Sequence, residues 1–427
     1  MKRQTQRYLV LTLLTLLSGY LYIITPPPSS PTLLQQAPKI DAQYEEREGL
    51  TYLNHLRTHA GLVPLKENPS LKQSAKNHAN YLIVNQKIGH HEEHNRSGYT
   101  GEYGSERSIH AGYQSALIIE NVSSNNLDHK TSIDGLMSAI YHRFGFLDFH
   151  INEIGIGVLQ DQQNRFRSAF VYDMGNQELN QLCAQNMPPS SSQHTVHEVC
   201  ANPQQQLSKK AFFHAIYSNH TQNAPMVVYP YPNQTNIPPA FYEELPDPLP
   251  EHSVSGFPIS ISFDESRFKK VELLSFQLFD EHHHAITDVL EYNQTNDPNQ
   301  RLKKFEFALF PLQRLAWASQ YHVEVTYRAD GTLGKKVWSF QTQKFDIPLH
   351  TITPTSHPIT MVKGESMIFY FPPFSPKDTL QSLRYPSNFD IHFIDKNTIK
   401  LKVQERRTPH VTLKIGAHRL KLNITES

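Results

Sequence analysis

The chain is poor in cysteine and has no charge of either sign to spare. It has two cysteines in 427 residues, and its 40 lysines and arginines are matched by 40 aspartates and glutamates. The balance excludes a global field that would draw the protein to nucleic acid or to an anionic membrane surface. No Gly-x-Ser-x-Gly elbow and no His-Glu-x-x-His helix occurs, which removes the usual sequence marks of a serine hydrolase and of a helix-borne zinc protease. No clear internal repeat relates the two β-rich stretches near the C-terminus. Histidine is abundant instead, at 24 residues, so any single histidine carries little weight.

The N-terminus reads as an export segment. Lys2, Arg3 and Arg7 precede an apolar run from Tyr8 to Thr25. As helix this run spans roughly 27 Å, slightly less than a bilayer core of about 30 Å. No Ala-x-Ala site follows, and Pro26-Pro27-Pro28 hinders a peptidase cutting just ahead of it, so residues 1–25 are either a cleaved signal or a retained anchor. Tyr20 stands where a lipobox would need cysteine, which excludes lipidation there. Residues 26–45 are proline-, serine- and glutamine-rich and read as a tether. Cys183 and Cys200 close a loop of about 18 residues within a connector over 179–223; in an oxidising compartment they are expected to pair.

Regular structure is expected from Glu46. Leu50, Leu53, Leu56 and Ala60 recur at helical spacing and Gly61 stops the helix. Asn68-Pro69 opens a second helix whose apolar stripe includes His78, expected to be buried and hydrogen-bonded. Residues 95–118 read as an irregular lid. A third helix fits 132–145, with His142 off its buried face. Strands follow at Glu153–Val158 and Phe166–Tyr172, joined by a turn at Asp161–Asn164. Helices alternating with strands point to a three-layer α/β domain. From residue 224 the pattern turns to prolines and short strands, at Ile259–Phe263, Leu274–Phe279, Phe305–Leu309, Tyr321–Tyr327 and Lys336–Phe340. Residues 346–427 form a smaller β unit, either a second sandwich or the completion of the first.

In this order, residues 46–178 resemble the CAP superfamily of cysteine-rich secretory proteins, antigen 5 and plant pathogenesis-related proteins, and its bacterial branch most. The resemblance is carried by Leu53-Asn54, Arg57, Ala60-Gly61-Leu62, Asn68-Pro69, His78-Ala79, Gly89-His90, Glu120-Asn121, His142-Arg143 and Glu153-Ile154-Gly155-Ile156-Gly157. It covers about a third of the chain and implies an α/β/α sandwich with a solvent-filled cleft. Members often set two histidines and two glutamates in that cleft, and some bind zinc or another divalent cation. His90, Glu120 and His142 match three of the four; the stretch Leu136-Met137-Ser138-Ala139 holds no acid, so the second glutamate is missing. Glu92 or Glu93 is a candidate replacement from the lid side. Residues 224–345 resemble, more loosely, the Ig-like modules of bacterial surface proteins, through Pro232–Pro238, Leu315–Tyr327 and Trp338–Thr342.

Three functions follow as expectations. The leading one is an exported CAP-domain protein, periplasmic, secreted or at the cell surface, with the N-terminal segment as a membrane contact. Its cleft would bind a small lipid, peptide or cell-wall fragment, with a divalent cation such as Zn2+ as an optional aid and no nucleic-acid partner. The second is a metal-dependent hydrolase in which His90, Glu120 and His142 hold zinc and leave a fourth position for water. The third is a structural or adhesive envelope protein with a vestigial cleft. Ser138, four residues before His142, is a weak nucleophile candidate, and His91 and His94 are expected in solvent.

Overall fold

The computed structural model describes residues 37–185, 194–380 and 385–426. The export segment, the position of Tyr20 and most of the tether lie outside the described residues. Among the described residues no helix is long and apolar enough to cross a membrane.

The first helix, α1 (Ala42–His59), starts earlier than the apolar spacing implied, because Asp41 accepts hydrogen bonds from the amides of Gln43 and Tyr44 and caps it. The stretch before it is already tied down: Gln160 accepts from the Ile40 amide and donates to the Pro38 carbonyl. Asn68 caps α2 (Pro69–Asn85) in the same way. Within the expected lid a short helix forms, α3 (Gly104–His110). The single helix expected over 132–145 is two, α4 (His129–Ser138) and α5 (Ile140–Phe146), because Ala139 is extended (φ −78°, ψ 116°).

Strands β1 (Lys66–Glu67), β2 (Ile119–Ser124), β3 (Glu153–Gln160) and β4 (Ser168–Gly175) form one sheet in the order β1-β3-β4-β2. Both faces are covered. Ile154, Ile156, Phe170, Tyr172 and Met174 share one core with α1 and α4, while Ala169 and Val171 pack under Ala75, Ala79 and Leu82 of α2. The period-2 alternation of β4 thus feeds two cores and makes the domain a three-layer sandwich. Gly155 and Gly157 let α2 lie directly on the sheet: a Cβ on Gly155 would sit 2.0 Å from the Leu71 carbonyl carbon, and one on Gly157 2.3 Å from that of Ala75.

The connector carries α6 (Gln177–Ala184) and α7 (Lys209–Ile216), and a disulfide joins Cys183 to Cys200. Next comes a β module of two four-stranded sheets. Strands β5 (Met226–Tyr229), β6 (Gln234–Ile237), β7 (Ile259–Phe263), β8 (Val271–Phe279), β9 (Val289–Asn293), β10 (Glu306–Pro311), β11 (Gln320–Ala329) and β12 (Thr332–Thr342) pair in the orders β9-β10-β7-β5 and β8-β11-β12-β6. Ile259, Ile261, Val323, Val325, Trp338 and Phe340 fill the space between these sheets, in a core continuous with that of the α/β domain. Residues from 349 onward form two further sheets around a separate core that includes Met361, Phe369, Ile399, Leu401 and Leu420.

The joint between the α/β domain and the β module is built on α5. Arg143, fully buried, donates from Nε to the Met137 carbonyl at 2.6 Å and from Nη1 to the Pro258 carbonyl at 2.7 Å. Its guanidinium lies over the rings of Tyr229 and Phe257. Burial pushes it down to about 9, so it remains protonated at neutral pH. Tyr141 beside it donates from its hydroxyl to Asp297.

Candidate functional site

Strand β2 is one of the two edge strands of the α/β sheet, and alternation along it sends Glu120 and Asn121 to opposite faces. On the α2–α3 face, Glu120 Oε1 meets His90 Nδ1 at 2.9 Å and Oε2 accepts from Arg107 Nη2 at 2.5 Å. On the other face, Asn121 donates to the His142 carbonyl at 2.8 Å and so fixes the start of α5. His90 and His142 therefore reach the same edge from either side, with ring centroids 5.9 Å apart and planes 18° from parallel. His90 is well exposed, while Glu120 and His142 are mostly covered.

The three residues expected at the site do meet. The fourth is Glu244, which the sequence reading did not single out. Its carboxylate comes from the β module, meets His142 Nδ1 at 2.9 Å and accepts from the Tyr141 amide at 3.2 Å. It is almost wholly buried. Neither proposed replacement lies there. Glu92 is buried beneath the lid, taking His78 Nδ1 at 2.9 Å and the Thr100 amide at 2.7 Å. Glu93 is on the surface between Lys87 and Arg96. His78 is buried and hydrogen-bonded on both ring nitrogens, to Glu92 and to the Gly89 carbonyl. His91 and His94 are exposed. Ser138 does not approach His142: its hydroxyl donates to the Gly135 carbonyl, and the break at Ala139 separates the two.

Behind Glu120 lies a second acid, Asp173, directly opposite it across β2 and β4. Asp173 is fully buried, beside Glu120 and Ser74. Burial and the neighbouring Glu120 charge hold its pKa well above the carboxylate range, so it keeps its proton. Glu120 goes the other way. Burial alone would raise it, but the His90 hydrogen bond and the Arg107 charge bring it down to about 2. One member of the pair is ionised and the other is neutral. The signal for Asp173 was an acid inside an otherwise apolar strand; Arg107, in the lid, and Glu244, among prolines and aromatics, gave none.

A cavity of about 590 Å³ opens from His90 and Glu120. Leu117, Ile118, Ile119, Ile151 and Met174 contribute its apolar surface, and the connector adds Ile216. It is also lined by a second charged group. Asp148 Oδ1 meets His150 Nδ1 at 3.0 Å and Oδ2 meets Lys303 Nζ of the β module at 2.8 Å. Burial raises Asp148, but Lys303 and His150 outweigh it and hold it well below the usual range.

Zinc does not fit this arrangement as a three-ligand site. Glu120 has one oxygen on His90 and the other on Arg107, both Nδ1 atoms are engaged by carboxylates, and among the described residues no group of three or more His, Cys, Asp and Glu side chains is disposed to hold a metal ion.

A three-layer α/β/α domain with paired histidine–carboxylate contacts at its open edge defines the class of protein. Residues 50–174 match the CAP family model, described as the cysteine-rich secretory protein family, and the chain carries a CAP domain there. Among solved structures it is similar to an outer surface protein from Borrelia burgdorferi, at 20% identity and TM-score 0.29, covering 33% of this chain and 98% of that one. It is also similar to an extracellular SCP-domain protein from Bacillus anthracis, at 16% identity and TM-score 0.28, covering 35% and 44%. A cysteine-rich secretory protein from Staphylococcus aureus is similar at 20% identity and TM-score 0.24, covering 32% and 40%. The chain thus spans less than half the length of the last two. No curated protein matches the sequence.

Proposed function

We propose that the chain is an exported binding protein whose ligand, a small lipid, peptide or cell-wall fragment, occupies the cleft between the CAP domain and the first β module. The observation that carries this reading is the open cavity of about 590 Å³, lined by His90 and Glu120, by the Asp148–His150–Lys303 group and by apolar side chains. A volume of this order suits a small organic ligand. Export rests on the basic start followed by Tyr8–Thr25, and on the Cys183–Cys200 bridge, which an oxidising compartment preserves.

Binding is preferred over metal-dependent hydrolysis because, among the described residues, no three His, Cys, Asp or Glu side chains are disposed to hold an ion. It is preferred over a vestigial cleft because His90 stays open to solvent at the cavity mouth. The test is a melting-temperature screen of the full chain against short peptides, peptidoglycan fragments and single-chain lipids. A ligand that raises the melting temperature, with the rise reduced in His90→Ala or Glu120→Ala, supports the reading. A rise that both variants retain, or none across the three ligand classes, overturns it.

A further inference from the structure

The cleft has a residual charge that the CAP domain does not supply. Besides Tyr103, six ionisable side chains line the cavity: His90, Glu120, Asp148, His150, Arg301 and Lys303. Glu120 meets His90 and is neutralised by the buried Arg107, and Asp148 is neutralised by Lys303 beside His150, each through contacts of 3.0 Å or less. Arg301 is the exception. Its guanidinium has no ion pair and no hydrogen bond to any described residue, although its backbone amide is fixed by Asp297 Oδ2 at 2.6 Å. It lines both this cavity and an adjoining one of about 240 Å³ walled by Ile118, Ile119 and Phe144. The one acid lining the adjoining cavity is Glu306, whose Oε2 accepts from the Lys303 amide at 2.7 Å.

An arginine left unpaired on the wall of a partly apolar cavity, with its backbone anchored, presents a planar fork of donors suited to two acceptor oxygens. Resting on the binding reading above, we infer that the cleft selects an anionic ligand, one bearing a carboxylate or phosphate that pairs with Arg301 of the β module while its apolar body lies along Ile118 and Ile119. The β module is then part of the recognition site. The CAP domain provides the apolar wall and the His90–Glu120 end, and the 297–303 loop provides the charge that decides between anionic and neutral ligands.

The experiment is calorimetric titration of the full chain with 4-phenylbutyrate, 4-phenylbutyl phosphate and the neutral 4-phenylbutanamide, repeated with Arg301→Gln, an exposed position whose replacement leaves the core untouched. The expected result is that at least one anion binds ten times or more as tightly as the amide, that the advantage falls with added salt, and that Arg301→Gln abolishes it. The stronger of the two anions identifies the headgroup chemistry. If the amide binds as well as both anions, or if Arg301→Gln leaves the preference intact, the inference fails while the binding reading stands. If none of the three shows saturable binding, the inference and the reading beneath it fall together.

Discussion

His142, on a helix of the CAP domain, is hydrogen-bonded at 2.9 Å to Glu244 of the following β module, 102 residues further along the chain. The carboxylate that the family pattern would place on the helix before His142 is absent, and one from another module occupies the place beside that histidine. The same carboxylate accepts from the Tyr141 amide, so it holds both the side chain and the start of α5. The joint between the two modules and the site therefore share this carboxylate.

Replacing Glu244 by alanine should leave His142 and the Tyr141 amide without a partner in a buried place. A loss of about 1–3 kcal/mol is expected, seen as a melting temperature lowered by several degrees, with Glu244→Gln milder because it keeps an acceptor. Thermal denaturation of the two variants beside the parent measures this. An unchanged melting temperature in Glu244→Ala would mean that the contact adds nothing to the joint.

The neutral state of Asp173 gives a pH-dependent expectation. In the folded chain this carboxyl keeps its proton, whereas in the unfolded chain it ionises above its ordinary value of about 3.9. Its contribution to stability is therefore greatest at low pH and declines as pH rises through that value. Asparagine, neutral at every pH and nearly the same shape, escapes the decline. Asp173→Asn should melt higher than the parent at pH 7, with the gap narrowing toward pH 4, as scanning calorimetry at several pH values would show. A lower melting temperature at pH 7 would mean that the carboxyl is ionised and paired.

Gly155 is tested by the smallest possible addition. A methyl group there would lie 2.0 Å from the backbone of α2, which has no side-chain freedom with which to retreat. Gly155→Ala should cost about 3 kcal/mol or more, by forcing α2 off the sheet, while Gly135→Ala, which meets nothing within 4 Å, should be close to neutral or slightly stabilising. Comparing urea midpoints for the two substitutions checks the contrast.

The disulfide should matter to the cleft as well as to stability. Residues next to Cys200 pair with the approach to β2: the Ala116 amide donates to the Val199 carbonyl at 3.0 Å, and that of Ala201 to Gln114 at 2.8 Å. Loss of the bridge in a Cys183→Ser, Cys200→Ser double variant should cost about 3 kcal/mol on the loop-entropy account. Proteolysis should then open the connector before the sheet, and peptide mapping of the first cuts would show whether it does.

What could be read in the residues was whatever depends on local spacing. The apolar stripe of α1, the Asn68-Pro69 start of α2, the Glu153–Gly157 run and five of the eight strands of the β module were legible because helical and strand periods are written in neighbouring residues, whereas Met226–Tyr229, Gln234–Ile237 and Val289–Asn293 were not singled out. Boundaries were less so, since Asp41 caps α1 through a side chain outside the apolar pattern, and Ala139 breaks a stripe that reads as continuous. The meeting of His90, Glu120 and His142 followed from the order of family motifs. The remainder was settled in three dimensions. Glu244 reaches His142, and Arg301 and Lys303 reach the cleft, only because the β module packs its own core onto that of the CAP domain, and Asp173 is pushed toward its neutral form by burial and by the Glu120 charge across the sheet. Contacts between segments a hundred residues apart follow from how apolar faces are buried together, and no period along the chain records that.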